Sequence, residues 1–262
     1  MAISTRALMS AILVTAALVS AAPAAANKDD HERAIQDDDS PERLDWKLAR
    51  AFSNRCAADL NQGNYDRAIQ DCSQALRYDP KLAIAFNNRG FAYVGKGDPD
   101  RAIEDYDEAI RLDPYLTGAR YNRADAHESK SQYDRALADY DEIIRIHATD
   151  ARAWNDRCWT RAIAGRLEAA LADCNESLRL KPSSANTLDS RGLAYLKLGD
   201  LDRSFADYDA ALQLNPQLAT SLYGRGAAKR GRGDGAGGDA DIAAAVAIKP
   251  DIAAEFARYG LR

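Results

Sequence analysis

The chain has 262 residues, 29% of them charged, and a net charge of −5. That balance excludes a nucleic acid or an anionic membrane, held through phosphate contacts, as its partner. One charge, Arg6, comes first, followed by an apolar run from Ala7 to Val19 and a small-residue segment from Ala21 to Ala26. This order is that of a secretory signal peptide over residues 1–26, cleaved after Ala26, and it implies export to the periplasm or the medium. The apolar core is about a dozen residues where a spanning helix needs ~20, so no membrane insertion is expected after cleavage. Residues 27–40 are polar and acidic, end in Asp37-Asp38-Asp39 and are expected to form a disordered leader. Ser40-Pro41-Glu42 then has the composition of a helix start.

From Ala49 onward the chain is periodic. Pro80, Pro114, Pro182, Pro216 and Pro250 are separated by multiples of 34, and Ala148 stands at the one missing step. Six units follow without insertion, at 49–82, 83–116, 117–150, 151–184, 185–218 and 219–252, within a repeat region of 41–252. In the second unit Phe86, Gly90 and Tyr93 fall on one stripe of a leading helix. Asp98 is an N-cap and Pro99 a first helical residue. Ala102, Tyr106 and Ala109 line the second helix, which stops before Pro114 because proline cannot continue it.

Those seven residues stand at positions 4, 8, 11, 20, 24, 27 and 32 of their unit, and the unit resembles the tetratricopeptide repeat, a helix-turn-helix of 34 residues. The resemblance implies an all-α fold: an α-solenoid, coiled as a right-handed superhelix, of six tandem helical hairpins. Its leading helices line a concave groove. The remaining ten residues, 253–262, place Phe256 and Gly260 at positions 4 and 8 of a truncated C-terminal capping helix. So short a cap leaves either a monomer or a weak end-to-end oligomer.

Compared with one another, the units keep arginine at position 7 (Arg55, Arg89, Arg123, Arg157, Arg191, Arg225) and aspartate at position 23 (Asp71, Asp105, Asp139, Asp173, Asp207, Asp241). A charge retained at a packing position calls for a partner. An ion-pair ladder is therefore expected, either within each unit or from one unit to the next. Positions 8 and 24 vary together. Tyr106, Tyr140 and Tyr208 meet Gly90, Ala124 and Gly192, Ile242 meets Gly226, and in the two other units both positions are cysteine. Equal 16-residue spacing selects the disulfides Cys56–Cys72 and Cys158–Cys174, the alternative being two pairs of buried thiols; export permits the bonds.

No cofactor is expected, and no metal, since the four-ligand set of structural zinc is missing. None of His31, His127 and His147 forms an HExxH pair, and neither a G-x-S-x-G nor a Walker-type loop occurs. Gly233, Gly235 and Gly238 satisfy G-x-G-x-x-G, but helix precedes them where a dinucleotide fingerprint needs a strand. The segment from Gly231 to Asp241 reads instead as an eroded inter-helix turn. With no room left for a catalytic domain, the chain is read as non-catalytic.

Positions 5, 6 and 9 of the leading helices supply an asparagine row with interleaved aromatics: Asn54, Asn87, Asn88, Phe91, Tyr121, Asn122, Asn155 and Trp159. Amides can donate to and accept from a peptide backbone while rings anchor apolar side chains. The row is similar to the asparagine ladder of sugar-transferring enzymes built on this repeat. It lacks the basic carboxylate clamp of co-chaperone repeats, with Ser53 and Ala57 at positions 5 and 9 of the first unit. A scaffold that binds an extended segment of another protein is the expected function. A self-assembling structural array and a groove-based small-ligand binder or enzyme are the two alternatives.

Overall fold

The computed structural model describes residues 41–261, with side chains from 43 onward. The expected signal peptide and acidic leader lie outside the described residues. Among those residues there are thirteen α-helices and no strand. They fall into two compact units that divide after Ser131. The first holds α1 (Pro41–Asn61), α2 (Tyr65–Tyr78), α3 (Ala83–Gly95), α4 (Pro99–Leu112) and α5 (Thr117–Ser129). The second holds α6 (Tyr133–Ile146), α7 (Ala151–Ile163), α8 (Leu167–Leu180), α9 (Ala185–Leu198), α10 (Leu201–Leu214), α11 (Ala219–Gly231), α12 (Gly235–Ile248) and α13 (Ile252–Arg258). Within each unit successive helices pack against one another, and the helices recur with the 34-residue period.

Local chemistry sets the boundaries. Asp98 and Asp200 cap α4 and α10, their carboxylates accepting from the backbone N–H of Arg101 at 3.1 Å and of Arg203 at 3.0 Å. These bonds and the adjacent arginines hold both carboxyls below the usual range. The turn between leading and second helix uses a left-handed residue: Gly63, Gly97, Gly165, Gly199 and Gly233 have φ between 73° and 93°, and Ser131 takes the same place at φ 57°. Second helices end in a residue outside the α region: Asp113, at φ −132° and ψ 93°, precedes a proline that disfavours that region, and His147, at φ −131° and ψ 75°, takes a similar conformation before Ala148.

The inter-helix turn at Gly233 is shorter than expected. Only Arg232–Asp234 forms it, and α12 begins at Gly235 with Asp234 accepting from the N–H of Gly237 at 2.9 Å. Glycine is needed inside this helix for close approach: a Cβ on Gly238 would stand 2.7 Å from the carbonyl oxygen of Gly226.

The cores are built from small residues on both helices of each hairpin. Ala68, Ala75, Ala85 and Ala92 surround Cys56 and Cys72; Ala102 and Ala126 surround Tyr106. Positions 8 and 24 meet across the hairpin. A Cβ on Gly90 would lie 2.7 Å from the Tyr106 ring, and one on Gly192 would lie 3.0 Å from the Tyr208 ring. In the first and fourth repeats, Cys56 is bonded to Cys72 and Cys158 to Cys174 at these positions, each with Cα atoms 5.4 Å apart. Disulfide and ring-on-glycine thus join the same two backbone points. No described helix is long and apolar enough to cross a membrane.

Candidate functional site

The repeated arginine organises the polar surfaces. Arg89, Arg157, Arg191 and Arg225 each hold the aspartate of their own hairpin through two N–H bonds, Nε to Oδ2 and NH2 to Oδ1, at 2.7–2.9 Å. Arg55 holds Asp71 in the same fork. Such bidentate pairing favours guanidinium over ammonium. The pairing is therefore within each unit for these five.

The third nitrogen does something the sequence reading missed. NH1 reaches back to position 25 of the preceding repeat: Arg89 to Ser73 at 3.2 Å, Arg123 to Asp107 at 2.6 Å, Arg157 to Asp141 at 2.6 Å, Arg191 to Asn175 at 2.9 Å and Arg225 to Asp209 at 2.6 Å. One side chain thus ties its own hairpin and staples it to its neighbour. Asp139 is buried, 2% exposed. Second cations reinforce two rungs, Arg161 on Asp173 at 2.6 Å and Lys229 on Asp241 at 2.9 Å.

The asparagine row divides between the units. In the first, Asn122 Nδ2 donates to Asn87 Oδ1 at 2.9 Å, and Asn87 Nδ2 donates to Asn88 Oδ1 at 3.3 Å. This chain of amides links α3 to α5 and leaves Asn88 Nδ2 and Asn122 Oδ1, one donor and one acceptor, without a bond among the described residues. Asn54 is exposed on α1, Phe91 is half-buried on α3, and Tyr121 is buried.

In the second unit the corresponding face is closed. Asn155 is 6% exposed, donating to Asp156 at 3.0 Å and accepting from Ser190 Oγ at 3.0 Å. Trp159 is 5% exposed and meets the Tyr259 ring edge-on at 5.3 Å. Both residues, expected as open contacts, are instead engaged inside the protein, Asn155 by Asp156 and Ser190 and Trp159 by Tyr259 of the C-terminal segment. The rung from position 6 of one repeat to position 5 of the one before is the same in both units, Asn122 to Asn87 and Ser190 to Asn155.

Buried groups carry the expected penalties. The Tyr106 and Tyr208 hydroxyls are fully enclosed without a hydrogen-bond partner, and burial, with carboxylates nearby, pushes them well above the ordinary phenol value. Lys197 donates to the carbonyls of Ala162 and Ile163 at 2.8 and 3.1 Å, closing the end of α7, and burial lowers its pKa. Among the described residues no group of His, Cys, Asp and Glu is disposed to hold a metal ion.

Three family profiles match the chain: one described as tetratricopeptide repeat at 83–116, one as TPR repeat at 58–97 and 192–229, and a further tetratricopeptide repeat at 119–185. No curated protein matches it. Among solved structures, a tetratricopeptide repeat protein from Parabacteroides merdae is similar at 17% identity and TM-score 0.68, covering 81% of this chain and 90% of its own. The type IV pilus biogenesis factor PilW is similar at 17% identity and TM-score 0.69, covering 80% of this chain and 98% of its own. MamA is similar at 21% identity and TM-score 0.58, covering 66% and 94%. At these identities the likeness is one of fold. Period, hairpin geometry and profile matches together place this chain in the tetratricopeptide repeat family.

Proposed function

We propose that this is an exported, non-catalytic interaction scaffold that docks an extended segment of another protein on the leading helices of its first unit. The contacts are Asn54, Asn87, Asn88, Phe91 and Asn122. The observation that carries this reading is the amide chain from Asn122 through Asn87 to Asn88, ordered by its own hydrogen bonds and still offering a donor and an acceptor beside the half-buried Phe91. Preordered amides match a peptide backbone at little conformational cost, and a neighbouring ring supplies an apolar anchor. Tyr121, expected in the same row, is buried. The two disulfides, in a chain with no free cysteine among the described residues, fit an oxidising compartment.

The full chain, screened against a library of immobilised extended peptides, is expected to select a sequence class whose binding falls at least tenfold in Asn88→Ala with Asn122→Ala at unchanged helicity. Undiminished binding would refute the site. For export, the mass of the protein recovered from its host envelope is expected to begin at Asn27, and an intact Met1 would refute that part.

A further inference from the structure

From the second repeat to the sixth, each leading helix receives the preceding second helix along one stripe, positions 3, 7 and 10 of the unit. At position 3, Ala85, Ala119, Ala153, Thr187 and Ser221 are at most 1% exposed. At position 10, Ala92, Ala126, Thr160, Ala194 and Ala228 are at most 2% exposed. The arginine side chain between them is 12–23% exposed. Small residues let the helices approach closely, and the guanidinium ties them.

On α1 the same stripe is open. Ala51 and Ala58 are exposed, and so are Leu44 and Lys47, which continue the stripe at helical spacing toward the start of α1. The Arg55 side chain is 62% exposed. Its Nε and NH2 hold Asp71, but the NH1 that staples each later repeat to its predecessor has no acceptor here among the described residues. Leu44, Lys47, Ala51, Arg55 and Ala58 thus present apolar and cationic side chains and no acid. The end of a repeat array needs a cap over such a face.

Residues 27–40 lie outside the described residues and end where α1 begins, at Pro41. They hold six acids and two bases. Residues 33–37 read Arg-Ala-Ile-Gln-Asp, and one period later residues 67–71 of α2 read the same five letters. In α2 that stretch is part of a cover, since Ala68 and Ile69 belong to the cluster that holds the buried Ala85 and Ala92 of α3. The segment beside the open stripe therefore has the sequence of the element that closes the next one, and is negative where the stripe is positive. Reach permits the contact, in a register set by the early start of α1. A chain that reverses at Ser40 and runs back as a helix brings Asp30 level with Ala51, each about 15 Å from the turn. Arg55 stands one turn, about 6 Å, beyond, and its own side chain spans that distance.

We propose that residues 27–40 fold back on α1 as the missing second helix, with Ile35 on Leu44 and Leu48 and with Asp29 or Asp30 accepting from Arg55 NH1. Acidic composition keeps the segment unfolded when free, and the stripe supplies the apolar and charge contacts on which it orders. This cap closes the end of the first unit to any other helix. It uses none of the groove contacts, so the two readings fail separately.

The test uses the full chain with one added thiol, from Ala51→Cys on the stripe or, as control, from Asn54→Cys, exposed on the groove side. Thiol modification follows exposure, so maleimide is expected to react about tenfold more slowly with the first than with the second. Adding Asp29→Asn, Asp30→Asn and Ile35→Ser is expected to bring the two rates within about twofold. Equal rates before those changes would overturn the proposal, and so would a slow rate at residue 51 that the three changes leave slow. Should Ala51→Cys not fold, hydrogen exchange of the unsubstituted chain decides. Amides of residues 31–38 are expected to exchange about tenfold or more below the rate of an unstructured chain, and unprotected amides would overturn the cap. Protection that is lost on dilution as a dimer dissociates would place the segment on a second copy and equally overturn it.

Discussion

Arg191→Ala tests the arginine staple most sharply. Asp207 is 10% exposed at its side chain, and among the described residues Arg191 alone holds it, through two bonds at 2.7 Å. Truncation leaves that carboxylate buried and uncompensated, a loss of about 3–5 kcal/mol. It also frees Asn175, whose bond to NH1 at 2.9 Å joins the preceding repeat. Arg157→Ala removes a more deeply buried guanidinium, 12% exposed, yet Asp173 keeps Arg161 at 2.6 Å. Its cost is therefore smaller, about 1.5–3 kcal/mol. Urea unfolding followed by circular dichroism, with unchanged slopes, gives both numbers. The order of the two costs is the prediction, since burial alone would rank them the other way. Arg191→Met with Asp207→Leu is expected to recover most of the loss, because removing both charges leaves nothing unpaired. A cost below about 1 kcal/mol for Arg191→Ala would mean a solvated surface pair and refute the reasoning.

Three further outcomes follow from the packing. In reductant, Cys56→Gly with Cys72→Tyr is expected to be about 2–4 kcal/mol more stable in urea than Cys56→Ala with Cys72→Ala, because it rebuilds the Gly90–Tyr106 contact instead of leaving a cavity. Gly192→Ala pushes a methyl to 3.0 Å from the Tyr208 ring and is expected to cost about 1–3 kcal/mol, whereas Gly118→Ala, with nothing within 4 Å, is expected to stabilise α5 by about 0.5–1 kcal/mol; thermal melts read both signs. For Asp241, burial alone would raise its pKa, but bonds from Arg225 and Lys229 outweigh it and the net shift is downward. Its stabilisation is then present above the ordinary carboxylate value of about 4 and lost as pH falls through the lower folded value, so wild type and Asp241→Asn should differ in urea midpoint at pH 7 and converge by about pH 2.

What could be read in the residues was whatever recurs as the same letter at the same step. The prolines, the arginine and aspartate columns and the exchange of glycine–tyrosine for cysteine–cysteine are of that kind, and they specified the hairpin, its tightest contact and its charge pair. Position 25 escaped because it is not constant, three aspartates (Asp107, Asp141, Asp209) alternating with Ser73 and Asn175; what all five share is an oxygen that accepts from the arginine. Asn155 and Trp159 looked like open contacts because their positions matched Asn87 and Phe91, and position alone cannot say that Ser190 engages the one and Tyr259 covers the other. Gly260 fits the small position 8 of a leading helix, but here its glycine character serves a left-handed C-terminus that stops the helix.

The same staple is missing from the C-terminal helix. Each arginine fixes the register of one repeat on the last by reaching an acceptor sixteen residues back, so coupling between neighbours is carried by a polar row as well as by apolar faces. One period beyond Arg225 the position falls on Tyr259, and sixteen residues before Tyr259 stands Ala243. Donor and acceptor are missing together, so α13 rests on the sixth repeat through Phe256 against the Tyr223 ring at 4.5 Å and the Lys249–Glu255 pair instead. Its apolar side chains are buried in the cluster that holds the rings and leucines of α7, α9 and α11, where burial returns about 25 cal/mol per Å². Restoring the staple with Ala243→Asp and Tyr259→Arg would remove the Trp159 contact and supply the missing rung at once. With Trp46 and Trp154 replaced by Phe, Trp159 more open to acrylamide quenching in the double variant than in Tyr259→Arg alone is the result this account requires; equal quenching would show that loss of the covering ring and not the new rung exposes it.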